Sequence, residues 1–246
     1  RSGLRHRRRT SVTDPNLQLL EAVALRLGRL SEEFVFVGGA VVGLLLTDEA
    51  APPARPTRDV DVVVEATTVL EYEAVKAKLR EAGFREEPDA PHLCRWTADD
   101  VLLDVMPTDA GLLGFTNTWY VPAVRASMRV SLASGRTLRC VTAPYLLATK
   151  VEAFRGRGNA DYYASTDLED LVALLNGRPE IVDELANASP ELLAFLGDAF
   201  RTLLDTPDFL QALPGLAIEV GGGSGREGIV LQRMRAIVDR PPGKAT

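Results

Sequence analysis

Two aspartates one residue apart open an apolar run in the first third of the chain. Asp59 and Asp61 flank a valine and are followed by three more valines at 62–64. Side chains alternate along a strand, so both carboxylates face the same side, roughly 7 Å apart at Cα. Two like charges this close favour a cation between them, and carboxylate oxygens are ligands that Mg²⁺ accepts. The spacing predicts half of a metal site; the alternative is an edge strand with solvated aspartates.

A third carboxylate lies inside another apolar stretch, residues 101–106, as Asp104. A buried charge without a partner is strongly unfavourable, so Asp104 needs one. Beside the Asp59 and Asp61 strand it would complete a cluster of three carboxylates. Such a cluster can hold the two Mg²⁺ ions of an in-line phosphoryl displacement, with Mn²⁺ as an alternative metal. The other reading is that Asp104 meets water or an arginine.

The pair Gly38-Gly39 follows the apolar residues 34–37 and precedes the helix-like residues 40–44. Glycines let a phosphate approach the backbone, and a helix N-terminus supplies N–H donors. This segment is a candidate cradle for a triphosphate, and a plain tight turn is the alternative.

Lys150 shares a helical face with Leu146 and Phe154, so its ammonium rises from an apolar stripe. It would bind a nucleotide phosphate or extend to solvent. Asp167 and Asp170 begin the next predicted helix, where a capping box between Thr166 and Glu169 alone could explain the acids.

In this order, Gly38-Gly39, Asp59-Val60-Asp61 and Asp104 resemble the nucleotidyltransferase superfamily typified by DNA polymerase beta. Residues 145–155 and 167–171 resemble one branch of it, the AbiEii/AbiGii-type toxin nucleotidyltransferases, which include the MenA-like toxins. The resemblance covers roughly residues 30 to 180. It implies an α/β nucleotidyltransferase fold, with a small mixed sheet flanked by helices and followed by a helical C-terminal domain.

The resemblance also implies an activity, the Mg²⁺-dependent transfer of a nucleoside monophosphate from a nucleoside triphosphate, with release of pyrophosphate. The catalytic residues would be Asp59, Asp61, Asp104 and Lys150. The three aspartates would bind metal, Asp104 would accept the acceptor's proton, and Lys150 would neutralise charge as pyrophosphate leaves. The nucleotide-binding residues would be Gly38, Gly39, Arg58, Lys150, Asp167 and Asp170. The implied acceptor is RNA, at the tRNA 3′ end, in a toxin with a cognate antitoxin as a further partner. Alternatives are a small hydroxylated molecule or a protein side chain as acceptor, or a non-catalytic regulator.

The charge distribution is uneven. The net charge of −6 argues against a protein that coats nucleic acid indiscriminately. A basic tract nevertheless lies between residues 120 and 158, against the single acid Glu152. It consists of Arg125, Arg129, Arg136, Arg139, Lys150, Arg155 and Arg157. This local excess predicts a polyanionic partner, a nucleotide or an RNA backbone.

The chain divides by pattern into three parts: a basic, flexible arm at 1–15, a catalytic core at 16–142, and a helical domain at 143–246. Helices are predicted at 16–30, 68–82, 145–155, 167–176, 179–187, 190–204 and 226–239. A β-hairpin is predicted around residues 99–100, and the glycine-rich run 221–225 is a connector. Cys94 and Cys140 lack metal-ligand spacing and are predicted to be core thiols. The longest apolar run is too short to span a membrane and no leader is evident, so we expect a cytoplasmic protein.

Overall fold

The computed structural model describes residues 14–88, 94–157, 161–217 and 225–240, with the side chain of Arg157 left out. The predicted basic arm lies almost wholly outside these residues, and so does most of the glycine-rich connector.

A single mixed sheet of seven strands forms the centre of the fold. The strands are β1 (Val35–Val37), β2 (Asp59–Val64), β3 (Arg85–Glu86), β4 (Arg95–Ala98), β5 (Val101–Pro107), β6 (Met128–Ser131) and β7 (Thr137–Cys140). They are arranged in the order β3-β4-β5-β2-β1-β7-β6. β2 pairs in parallel with β5, β1 pairs in parallel with β7, and the remaining neighbours are antiparallel. Because β2 is an interior strand, Asp59 and Asp61 do not lie on a solvated edge.

Ten helices surround and follow the sheet in the described ranges. They are α1 (Pro15–Leu27), α2 (Val42–Leu45), α3 (Val69–Glu81), α4 (Tyr120–Arg125), α5 (Ala143–Arg157), α6 (Thr166–Gly177), α7 (Ile181–Ala186), α8 (Pro190–Leu204), α9 (Pro207–Leu216) and α10 (Arg226–Val238). Every element after β7 in these ranges is helical. The sequence pattern missed α9, in which Pro214 lies inside the helix, a position that proline normally disfavours; Pro207 stands at the first position, where proline is tolerated.

The ends of the helices follow local chemistry. Asp14 caps α1, and Thr68 and Glu71 form a capping box at α3, which is followed by Gly83 with φ 85°. The capping box predicted at Thr166 is wrong: Ser165 is the N-cap of α6, and its side chain accepts a hydrogen bond from the N–H of Leu168. Capping therefore does not account for Asp167 and Asp170.

The chain leaves β1 through Gly38, whose φ is 73°, and continues as a 3₁₀ turn (Gly39–Val41) and the single turn of α2. The helix predicted here is thus two short pieces. Among the described residues no helix is both long and apolar enough to cross a membrane. The core is continuous from the sheet into the C-terminal helices, and Cys94 and Cys140 are buried thiols within it, as predicted.

Candidate active site

The register of β2 and β5 places two predicted metal ligands side by side. Asp61 pairs with Asp104 across the parallel strands, and Asp59 lies two residues earlier on the same face. On the other side of β2, Val37 of β1 pairs with Asp61. The next residue, Gly38, therefore arrives directly beside the Asp61 carboxylate. The fold thus brings together four residues that the sequence analysis selected.

The two glycines make room for charged side chains. A Cβ on Gly38 would lie 1.9 Å from Oδ2 of Asp61. A Cβ on Gly39 would lie 3.0 Å from Nη2 of Arg55 and 3.2 Å from Oδ2 of Asp170. The Asp61 carboxylate lies so close to Gly38 that a residue with a side chain would not fit at position 38. A role of the pair in holding a triphosphate stays a prediction.

Arg95 on β4 is a site residue that the sequence analysis did not select. Its Nε donates to Oδ1 of Asp104 at 2.8 Å, and its Nη2 donates to Oδ2 of Asp104 and to Oδ2 of Asp59, both at 2.8 Å. Hydrogen bonding to Asp104 raises the pKa of Arg95, an effect that outweighs its partial burial. A signal was present in the sequence. A hairpin turning at residues 99–100 puts Arg95 opposite Asp104, which is the observed register.

The three carboxylates are of the right chemical type to bind a divalent ion, but their oxygens are not free in this arrangement. Three acidic side chains lie on one face of two adjacent strands, and oxygen donors are what Mg²⁺ prefers. Arg95, however, holds both oxygens of Asp104 and one of Asp59. Within the described ranges no group of three acidic, histidine or cysteine side chains is placed to hold a metal ion. Of the two partners considered for Asp104, the structure therefore shows an arginine.

Lys150 belongs to a buried ion cluster with Arg55, Asp167 and Asp170. Its Nζ lies 3.1 Å from Oδ1 of Asp167 and 2.6 Å from Oδ2 of Asp170. Arg55, from the proline-rich loop before β2, forms a two-point contact with Asp170 at 3.0 and 3.2 Å. Burial opposes the charged form of Lys150, but the carboxylates of Asp170 and Asp167 outweigh it and raise its pKa. Lys150 does not extend to solvent, since only 8% of its side chain is exposed.

A cavity of about 440 Å³ joins these two groups of residues. Gly38 and Asp61 line it together with Lys150 and Asp167, and Phe115 and Tyr120 add aromatic surface. Its charged lining residues are the acids Asp61, Glu152 and Asp167 and the base Lys150. The sequence analysis did not select the aromatic residues or Glu152. Arg58 is not part of the lining; it is exposed and forms no ion pair with the residues that the structure describes.

The basic tract is divided by the fold. Arg139 is partly buried and donates to the carbonyl of Val124 and to Ser127 Oγ, and Arg155 pairs with Asp198. Arg125 and Arg129 are exposed on α4 and the edge strand β6, and Arg136 is partly exposed in the turn before β7. None of the three forms an ion pair with other described residues. Among the tract residues with described side chains, these last three remain available to a polyanion.

Comparison with known proteins identifies the fold. No protein-family model and no curated protein sequence matches the chain. Among solved structures, an antigenic nucleotidyltransferase-like protein from Paracoccidioides brasiliensis matches with a TM-score of 0.50 and 20% identity, over 81% of this chain and 94% of that one. JHP933 from Helicobacter pylori matches with a TM-score of 0.49 and 12% identity, over 93% and 94% of the two chains.

The antibiotic-resistance factor ANT(2″)-Ia matches with a lower TM-score of 0.43 and 13% identity, over 64% of this chain and 81% of that one. At these identities the likeness shows the fold alone, and of these three matches the first carries the argument. The predicted α/β fold is thus confirmed, and the AbiEii/AbiGii branch stays a prediction. The mixed sheet and its flanking helices have a nucleotidyltransferase-like fold.

Proposed function

We propose that this protein is a Mg²⁺-dependent nucleotidyltransferase. The observation that carries the proposal is the pairing of Asp61 with Asp104 on adjacent parallel strands, with Asp61 and Gly38 at the wall of a cavity. In the reaction, a hydroxyl oxygen of the acceptor attacks the α-phosphorus of a nucleoside triphosphate. The bond from that phosphorus to the bridging oxygen of the β-phosphate breaks, and pyrophosphate leaves. Asp104 is the carboxylate to which we assign the hydroxyl proton.

Asp59, Asp61 and Asp104 are the residues that would hold the metal. When bound, Mg²⁺ would neutralise charge on the phosphate oxygens and the leaving group. Lys150 lines the same cavity as Asp61, so its ammonium is placed to add positive charge there while it remains paired with Asp167 and Asp170. Gly38 lines the cavity and would face the triphosphate; Gly39 is buried beside Arg55 and Asp170 outside the lining, and is the weaker of the two. Arg58 is a weaker candidate, because it is exposed and lies outside the cavity lining.

For the acceptor we favour RNA, at the tRNA 3′ end, in a toxin-like activity. The exposed Arg125 and Arg129 and the partly exposed Arg136 support this choice. An acidic protein that leaves such a group without ion pairs among its described residues offers a surface to a phosphodiester backbone. The resemblance to the toxin branch agrees with it.

The cavity favours a second candidate, transfer to a small hydroxylated molecule. Its lining carries three acids against one lysine, and it includes none of the tract arginines whose side chains the structure describes. A negative lining repels a nucleic acid backbone and attracts a small acceptor that carries amines. The volume of about 440 Å³ is in the range of small-molecule sites.

One incubation separates the candidates. The purified chain is given each α-labelled nucleotide with Mg²⁺ and either tRNA, total RNA or a mixture of small hydroxylated compounds, and released pyrophosphate is measured. Labelled RNA supports the first candidate, and a labelled small molecule supports the second. Nucleotide binding without consumption would contradict both and indicate a regulator. The variant Asp61→Asn, which should be inactive, shows whether the label depends on this site.

A further inference from the structure

Arg95 occupies the acidic face in the manner of a bound cation. Its guanidinium spans Asp104 and reaches Asp59, with three donor–acceptor distances of 2.8 Å. The contact is shielded most at Asp104: 7% of its side chain is exposed, against 17% for Arg95 and 31% for Asp59. A planar fork on a carboxylate is the strongest geometry available to a side-chain cation.

This contact has an electrostatic cause. Asp59, Asp61 and Asp104 share one face of adjacent strands, so in the absence of a divalent ion their negative charges repel one another. Arg95 supplies positive charge at that place. Its backbone is fixed by the pairing of β4 with β5, which puts Arg95 directly opposite Asp104. The sheet therefore delivers the guanidinium to the carboxylates by register.

A divalent ion and the guanidinium need the same oxygens. Both oxygens of Asp104 and one of Asp59 accept hydrogen bonds from Arg95. An ion that binds there must displace these N–H groups, which the long side chain permits by rotation while β4 stays paired. Loss of the hydrogen bonds and of the local charge pairing then subtracts from the affinity for the ion.

We propose that Arg95 is a built-in counter-cation that competes with the divalent ion for Asp59 and Asp104 and so sets the metal affinity of the site. The inference rests on the proposed function in one respect, namely that this acidic face is where the metal binds. It adds to that function the residue that stabilises the site without metal and limits metal binding.

The test measures Mn²⁺ binding to the metal-free protein without nucleotide, by the electron paramagnetic resonance signal of free Mn²⁺. Arg95→Gln should bind Mn²⁺ about 10- to 100-fold more tightly than the wild type, because a positive charge in contact with the site is removed. Arg95→Lys keeps a charge but loses the fork, so its affinity should lie between the two. Arg85→Gln is the matched control. It removes an exposed charge from the nearby strand β3 and should change the affinity by less than about twofold.

Melting curves give a second readout. Without metal, Arg95→Gln should melt below the wild type, because the carboxylates lose their counter-cation, and saturating Mn²⁺ should raise its melting temperature by more than that of the wild type. If Arg95→Gln does not fold, Arg95→Lys decides: it must bind Mn²⁺ more tightly than the wild type.

Three outcomes separate the inference from the proposed function. Equal or weaker Mn²⁺ binding by the Arg95 variants, with binding by the wild type intact, would overturn the competition alone. No binding by any variant would overturn both the competition and the metal role of these aspartates. Tighter binding by Arg95→Gln in a protein that transfers no nucleotide would uphold the competition and overturn the proposed function.

Discussion

Asp61 occupies the space that any side chain on Gly38 would need, since a Cβ at residue 38 would lie 1.9 Å from Oδ2 of Asp61. Gly38 also has φ 73°, a conformation that L-residues with side chains rarely adopt. The glycine at the end of β1 thus lets a carboxylate of the neighbouring strand stand beside the cavity.

Gly38→Ala should therefore both destabilise the protein and displace Asp61. Combining backbone strain with overpacking, we expect a loss of about 3 kcal/mol or more in the free energy of unfolding, together with loss of nucleotide transfer. Urea unfolding and the labelling assay measure the two effects. Gly135→Ala is the control, because Gly135 has φ 84° and nothing within 4 Å of its Cβ position. If both variants lose the same free energy of unfolding, the contact between residue 38 and Asp61 does not contribute to the loss.

Asp61→Asn should lower nucleotide transfer by a factor on the order of 10² to 10³ or more, because the proposed transition state depends on a charged metal ligand. The melting temperature should stay close to that of the wild type, since the amide has nearly the same shape. Asp100→Asn removes the same charge at the exposed turn between β4 and β5 and should leave transfer unchanged. Transfer by Asp61→Asn within a few-fold of the wild type would refute the metal role.

Removing the Asp59 carboxylate should not raise stability, although it relieves repulsion among the three aspartates. Because its Oδ2 accepts a hydrogen bond from Arg95, Asp59→Ala removes a favourable contact as well as a like charge. Transfer should be lost, whereas the melting temperature without metal should remain the same or fall slightly.

Lys150→Met should destabilise the protein by about 3 to 5 kcal/mol, because it removes a cation from between buried carboxylates. Adding Asp167→Asn to this variant should restore part of the loss, since the charge left behind is also removed. Lys76→Met is the control: it breaks pairs with Glu73 and Glu86 nearer the surface and should cost at most about 1 kcal/mol. Unchanged stability with weakened nucleotide binding would instead show that Lys150 acts mainly on phosphate.

Arg125→Glu combined with Arg129→Glu should weaken RNA labelling about tenfold or more at moderate salt and reduce the salt dependence of RNA binding. Binding of nucleotide alone should be nearly unchanged, because neither arginine lines the cavity. The double variant Arg29→Glu and Arg85→Glu makes the same change in charge at two other exposed positions and serves as control. Equal loss in both double variants would show a general charge effect rather than an RNA surface.

The free energy of unfolding should fall as the pH rises from about 9 to about 12. Part of that loss should come from Cys94. Burial, with the negative charges of Asp104 and Asp61, raises the pKa of this thiol from 9.0 to about 12. Above pH 9 the unfolded chain loses the proton while the folded chain retains it, so rising pH favours unfolding. Cys94→Ala should make the decline in melting temperature shallower over this range. An identical decline in both proteins would show that Cys94 contributes nothing.

Much of the acidic face could be predicted from the sequence, because strand periodicity alone puts Asp59 and Asp61 on one side and marks Asp104 as a charge in need of a partner. The hairpin predicted at residues 99–100 also implies that Arg95 lies opposite Asp104, because residues equally distant from the turn pair across the two strands. Arg55 could not be found in this way. It lies in an irregular loop, where no periodicity applies, and its partner Asp170 is 115 residues away in the chain.

That separation has a consequence for how the protein forms. Arg55 is held from one side by Asn16, whose side chain donates to its carbonyl, and from the other by Asp170 on α6. Closing a loop of this length costs conformational entropy before the contact between its ends can stabilise it. We therefore expect the contact between Arg55 and Asp170 to form late in folding. A nascent chain that has emerged only as far as the sheet has all three strand aspartates but lacks the anchor for Arg55. Synthesis must therefore proceed through α6 before the cavity can acquire its final walls.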